Sequence, residues 1–333
     1  MKGEPVRPNL VPILHLEAVR LEALPDTRGA PAELAHVCFF QVGSDKSGQP
    51  VLIYFIYSMT DFRFTLDKDT RMCMSLASRP GNFGTRLHNF LYARLNLNFF
   101  YKSFTTGDLR GAVAGIRALG IRGCAISMPF KEDVMPCLDR IEPSAARIDA
   151  VNTIVNDAGV LTGLNTDYVA IQRVFADQAI PLDARVCVAG SGGMAKAIVS
   201  ALDDSGYRRV TIFARNEKTG RPLAEKYGYS WQPTLVDDQE FDGLVNASPV
   251  GMAPQPEHCP FPEERIRRAR HVVDSVANPI ETKLIRTAAR EGKVTVNGFE
   301  ITVIQSIEQF RLYTGVTPDT TAVQAAIEYV LKS

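Results

Sequence analysis

A short apolar strand that runs straight into a glycine-rich turn constrains this chain more than any other stretch. Val186-Cys187-Val188-Ala189 leads into Gly190-Ser191-Gly192-Gly193-Met194-Ala195, and helix-forming residues continue to about Ser205. In Gly190-x-Gly192-x-x-Ala195 the first glycine permits a tight turn and the second lets the backbone approach a pyrophosphate. The small sixth residue lets helix pack on strand, and the helix N-terminus adds partial positive charge. Such a unit belongs to a parallel α/β sheet that binds a dinucleotide; a tight structural turn is the plainer alternative.

The next strand, Arg209 to Ala214, ends in Arg215-Asn216, about 20 residues past the fingerprint, where an NAD-preferring enzyme usually carries Asp or Glu for the ribose 2′-hydroxyl. Arg215 instead offers a guanidinium fork suited to a 2′-phosphate, with stacking on adenine as a second use. Asn216 lies beside it and Lys218 adds charge. The expected cofactor is therefore NADP, with NAD as the alternative. A solvated arginine at a strand end is the plainer reading of Arg215.

A length of 333 residues allows two domains, each able to bury a core. Basic and acidic residues balance at 37 each, so no electrostatic footprint for nucleic acid or anionic lipid is present. The longest apolar run, Val51 to Tyr57, falls far short of the roughly 20 residues that span a bilayer. No apolar signal-peptide core follows the N-terminal charges, and a cytoplasmic location is expected. The six cysteines form no Cys-x-x-Cys pair, which argues against a zinc site and for reduced thiols; no metal is expected.

The expected fold is α/β. Residues 1–70 form an accessory extension in which Val37–Val42 and Val51–Tyr57 read as a β-hairpin. Residues 71–170 alternate strand and helix signals as in a mostly parallel sheet, with strands at Met72–Leu76, Phe99–Phe104 and Cys124–Met128 and a helix opening at Lys131–Leu138. Residues 171–300 carry the dinucleotide turn, and two helices, Ile301–Thr314 and Thr320–Leu331, fill 301–333. The boundary between the two α/β modules is expected in the helix after Asp167.

The chemistry concentrates at Lys131, which closes Ala125-Ile126-Ser127-Met128-Pro129-Phe130-Lys131, and at Asp167 in Asn165-Thr166-Asp167. An ammonium and a carboxylate flanking one pocket can pass a proton to and from a substrate hydroxyl, and a partly buried lysine can be tuned toward neutral pH. Beside a hydride carrier, this pair is the minimum equipment of an alcohol dehydrogenase. A structural salt bridge is the plainer reading.

From about Arg71 to the C-terminus, some four-fifths of its length, the chain resembles the shikimate dehydrogenase family. The resemblance rests on Met128-Pro129-Phe130-Lys131-Glu132, Ala150-Val151-Asn152-Thr153-Ile154-Val155, Asn165-Thr166-Asp167, the glycine turn, Asn246-Ala247-Ser248-Pro249-Val250-Gly251-Met252, Asn278-Pro279 and Gln305. It implies a substrate domain followed by a Rossmann NADP domain, with the C-terminal helices returning to pack on the first. It also implies that Lys131 and Asp167 are catalytic and that Asn152, Asp167 and Gln305 bind substrate hydroxyls. Ala189 through Ala195 and Arg215 would bind NADP, and Met252 would lie near the nicotinamide.

Three departures bear on the substrate. Where the family places Ser-x-Ser before its His-Asn pair to hold a carboxylate, this chain has Asn82 and Gly84 before His88-Asn89. Losing one hydrogen bond to a carboxylate is worth roughly 1.5–3 kcal/mol. Ala125-Ile126-Ser127 stands for the family's Asn-x-Thr, so Ser127 keeps only a hydroxyl, and Ala277 stands for a common tyrosine. Arg79 is a candidate replacement ligand or a plain surface arginine. These changes mark a shikimate-dehydrogenase-like branch with an altered carboxylate site, expected to oxidise a ring secondary alcohol of a cyclic hydroxy acid with NADP, or in reverse to reduce the matching ketone, and to be weak on shikimate. The alternatives are a non-catalytic NADP(H)-binding regulator, or a quinate or aminoshikimate dehydrogenase; monomer and homodimer both remain open.

Overall fold

The computed structural model describes residues 35–44, 50–58, 66–235 and 239–332. The chain divides into two compact units, Met1–Lys68 and Asp69–Ser333. In the first, β1 (Ala35–Ser44) and β2 (Pro50–Ser58) pair antiparallel with Val37 opposite Ile56, the expected hairpin with longer arms.

The second unit contains two six-stranded sheets. The first sheet takes in β3 (Arg71–Leu76), β4 (Phe99–Phe104), β5 (Gly123–Ile126), β6 (Arg140–Ile141), β7 (Thr153–Asp157) and β8 (Val160–Leu164), in the order β4-β3-β5-β7-β8-β6. Strand β3 runs parallel to β4 and β5, and β6 runs parallel to β8, while β7 opposes both its neighbours. The Asn-Asp-Ala-Gly turn between β7 and β8 explains that reversal: Ala158 and Gly159 both take positive φ, so the chain folds back as a hairpin. Helices α1 (Phe83–Arg94), α2 (Leu109–Ala118) and α3 (Pro143–Ile148) connect these strands.

Residues 131–138 do not form the expected helix. They make a turn and then a single 3-10 turn at Met135–Cys137. Pro136 sits inside this stretch without an N–H to donate, which prevents the helical ladder from propagating.

Helix α4 (Thr166–Asp177) leads to the second sheet, which is wholly parallel. It takes in β9 (Val186–Ala189), β10 (Val210–Phe213), β11 (Ser230–Gln232), β12 (Gly243–Asn246), β13 (His271–Asp274) and β14 (Val294–Val296), ordered β11-β10-β9-β12-β13-β14. Between them lie α5 (Gly193–Asp204), α6 (Glu217–Tyr227), α7 (Glu263–Arg268) and α8 (Lys283–Arg290). Strand order reverses between β9 and β12, and the crevice outside such a switch point is where open α/β sheets bind ligands.

Two helices close the chain, α9 (Gly298–Thr314) and α10 (Thr320–Leu331). Asn297 and Glu300 form a reciprocal capping box that starts α9. Phe310 and Tyr313 of α9 and Ala322 and Ala326 of α10 share one buried cluster with Leu87, Leu91 and Tyr92 of α1. The C-terminal helices therefore return to the first sheet. Gly123 permits it: a Cβ there would lie 2.2 Å from the Tyr313 ring.

Candidate active site

Lys131 and Asp167 meet. Lys131 Nζ donates to Asp167 Oδ2 at 2.6 Å, with side-chain exposures of 20% and 5%. The lysine hangs from the loop after β5, which is pinned where Ser127 N donates to Leu76 O and Val151 N donates to Lys131 O. Asp167 stands in the first turn of α4, where Asn165 caps the helix by accepting from Tyr168 N.

Asn152 lies beside the start of α4. It is buried, and its Oδ1 accepts from Thr166 N, Thr166 Oγ1 and Thr153 Oγ1. Its Nδ2 meets no partner among the described residues. A buried donor left unmet costs about 1–3 kcal/mol, a cost that an oxygen placed within reach of this amide would recover.

Gln305 is half-buried on α9. One turn on, the buried Gln309 donates through Nε2 to Thr153 Oγ1 at 2.9 Å and more distantly to Asn152 O, tying α9 to the Asn152–Thr153 strand. Sequence reading missed Gln309, although its spacing of four from Gln305 puts both on one helix face.

Ser127 is exposed on the Lys131 loop, and Asn82 is exposed at the start of α1, where its side chain makes no capping bond. The loops bearing them are joined by Ser78 N donating to Met128 O at 3.1 Å.

A cavity of about 1280 Å³ opens at the carboxyl ends of β9, β10 and β12, lined by Gly190, Ser191, Arg215, Asn216, Pro249 and Met252 among others. Gly190 takes φ +121°, and a Cβ on it would lie 2.9 Å from the Ala247 backbone, so this corner admits only glycine. At Gly192 a Cβ would meet nothing within 4 Å, and Gly193 is equally open; the space is free for a ligand's phosphates. Ala195 is buried where α5 packs on the sheet. Met194 is partly buried against that same core.

Arg215 is exposed and makes no bond to any described residue, which leaves its guanidinium free for an anion. Asn216 has a second duty as the cap of α6, accepting from Lys218 N at 3.0 Å. Lys218 itself does not line the cavity, whereas Lys283 and His258, which sequence reading passed over, do.

The Lys131 loop is linked to a helix of the second sheet beside this pair. Glu132, the residue after Lys131, accepts from Lys196 Nζ at 2.8 Å, and Lys196 lies near the start of α5.

Residues 83–154 match the shikimate dehydrogenase substrate binding domain, and residues 174–246 match shikimate / quinate 5-dehydrogenase. A shikimate dehydrogenase-like protein of Haemophilus influenzae is 51% identical over 255 residues, covering 76% of this chain and 94% of that protein. The chain belongs to the shikimate dehydrogenase family. The shikimate dehydrogenase (NADP(+)) of Desulforamulus reducens is 35% identical over 252 residues, with 71% and 87% of the two chains covered.

Among solved structures of the family, a shikimate 5-dehydrogenase-like protein superposes with TM-score 0.77 at 48% identity, over 80% of this chain and 100% of that one. The shikimate 5-dehydrogenase of Thermus thermophilus, solved with NADP(H) and shikimate, gives 0.71 at 30% identity, over 78% and 99%. The matched residues 83–154 and 174–246 both lie within the second unit.

Proposed function

We propose that this chain is an NADP-dependent dehydrogenase that moves a hydride between NADP and a ring secondary alcohol of a shikimate-like hydroxy acid, and that it is weak on shikimate itself. The observation that carries the reading is the 2.6 Å Lys131–Asp167 contact, tied through Glu132 and Lys196 to the helix that follows the glycine turn. Residues 71–170 would bind substrate, 171–300 cofactor, and 301–333 would bring Gln305 back to the substrate. The 1–70 extension has no assigned chemistry.

NADP would be held by Gly190 to Ala195, with Arg215, Asn216 and Lys218 toward its 2′-phosphate and Met252 near its nicotinamide, and it supplies the hydride acceptor. The open space at Gly192 and the free Arg215 fit that occupant. Lys131 Nζ takes the proton of the substrate hydroxyl as the carbonyl forms, and returns it in the reverse direction, where its positive charge stabilises the developing oxyanion. Asp167 orients the lysine and accepts a bond from a substrate hydroxyl. Asn152 Nδ2 and Gln305 bind further ring hydroxyls. Asn82 and Ser127 are the remaining groups toward the carboxylate.

The test is a kinetic screen with NADP and NAD against shikimate, quinate and related cyclic polyols, run beside Lys131→Ala. The variant is expected to lose turnover while binding NADPH as the wild type does. Wild-type turnover in the variant would remove Lys131 from the reaction. No reduction of either cofactor with any cyclic hydroxy acid would remove the dehydrogenase reading.

A further inference from the structure

One wall of the cavity is formed by Ser248, Pro249, Val250 and Met252, the turn that follows β12. Its shape traces back to a side chain on the neighbouring strand. Asn246 and Asp274 end β12 and β13 directly opposite each other, and both are fully buried.

The Asn246 amide uses all of its bonding capacity. Nδ2 donates to Asp274 Oδ1 at 2.9 Å and to Val250 O at 3.0 Å, while Oδ1 accepts from Ser248 N and Ser248 Oγ. Asp274 Oδ1 also accepts from Val276 N at 3.0 Å, and its Oδ2 accepts from Thr282 Oγ1 at 2.6 Å. Thr282, fully buried too, caps α8 through Ile285 N, and the first residue of α8, Lys283, lines the same cavity. Gly251 takes φ +92°, and a Cβ on it would lie 3.2 Å from His258 O and 3.8 Å from Thr282 Cβ.

No salt bridge reaches this carboxylate among the described residues, only neutral donors. Burial pushes its pKa above the ordinary carboxylate value, while the Thr282, Val276 and Asn246 donors oppose that rise. A buried charge without a cation is expensive, and an apolar residue would fill the space at lower cost. What the carboxylate does here is hold the Asn246 amide and the Thr282 hydroxyl in place.

We propose that Asp274 is a positioning residue for the dinucleotide, holding the 248–252 turn and the start of α8 as one preformed wall of the cavity. This rests on the cofactor reading above. The adenosine end, by that reading, is held by the glycine turn and Arg215, which no bond from Asp274 reaches.

The experiment titrates NADPH and its half-ligand 2′,5′-ADP against wild type, Thr282→Val, Thr282→Ser and Asp274→Asn, with thermal unfolding followed in parallel. Thr282→Val is expected to weaken NADPH about tenfold and 2′,5′-ADP less than twofold, the range for one charge-assisted hydrogen bond. Thr282→Ser keeps the hydroxyl and should stay within twofold for both ligands. Asp274→Asn should show the same split if Thr282→Val does not fold. Equal weakening of both ligands, or unchanged NADPH affinity in a folded variant, overturns the proposal. A wild type that binds neither ligand removes the cofactor reading itself, and the proposal falls with it.

Discussion

His88 shows how far one buried side chain can set the response of this protein to pH. It is fully buried on α1, stacked on Tyr101 at 4.4 Å between ring centroids, with Nδ1–H donating to Gly84 O. Burial pulls its pKa down from 6.5 to about 4, only partly opposed by the Gly84 carbonyl. The folded form holds the ring neutral down to that pH, whereas the unfolded chain takes up a proton near 6.5. Stability from this group is therefore fully present above pH 6.5 and is lost as pH falls toward 4, by up to about 3 kcal/mol. Urea unfolding of wild type and His88→Phe at pH 7.5, 5.5 and 4.5 checks this. The wild type should lose more stability than the variant across that range; parallel losses would sink the idea.

The start of α1 decides the substrate argument at the level of an element. By the proposed reading, Asn82 and Gly84 stand where two carboxylate-binding serines would be, and the space for introducing them exists. A Cβ at Gly84 would lie 3.5 Å from the Tyr101 hydroxyl, an ordinary contact, and Asn82 is exposed. Asn82→Ser with Gly84→Ser is therefore expected to fold and to lower KM for shikimate by about ten- to a hundredfold, the value of one hydrogen bond to a carboxylate. High shikimate activity in the unmodified protein, unchanged in the double variant, would disprove altered specificity.

The same scale shows what the chain declares in its sequence. Strands such as Val186–Ala189 and helices such as Thr320–Leu331 were legible because the spacing of apolar residues acts locally. The helix expected at Lys131–Leu138 failed because Pro136 outweighed its apolar spacing. Asp274 and Gln309 escaped notice because their partners lie on neighbouring strands or 156 residues away, and no local pattern encodes such pairings.

Across the whole second unit, helices from both sheets meet in one charged joint. Arg147, in the last turn of α3, pairs with Asp203 and Asp204 of α5 and lies 5.0 Å over the Tyr227 ring of α6. Tyr168, next to Asp167, donates to Asp204 at 2.7 Å, and Lys226 pairs with Asp149. The Arg147 side chain is 37% exposed, so solvent screens part of this, and Arg147→Ala should cost about 1–2 kcal/mol. Thermal unfolding at low and high salt checks it: the gap between wild type and variant should narrow as salt rises. A gap that is absent, or indifferent to salt, would reduce the joint to decoration.

Lys131 and Glu132 are consecutive residues that reach in different directions, one to Asp167 on α4 and the other to Lys196 on α5. A single peptide unit thus carries both the ammonium proposed to transfer the proton and the tether to the other sheet. Inserting or deleting one residue between Pro129 and Glu132 would rotate both side chains off their partners together. The stretch can accept a change of side chain at its flanks, but it has no tolerance for a change of length.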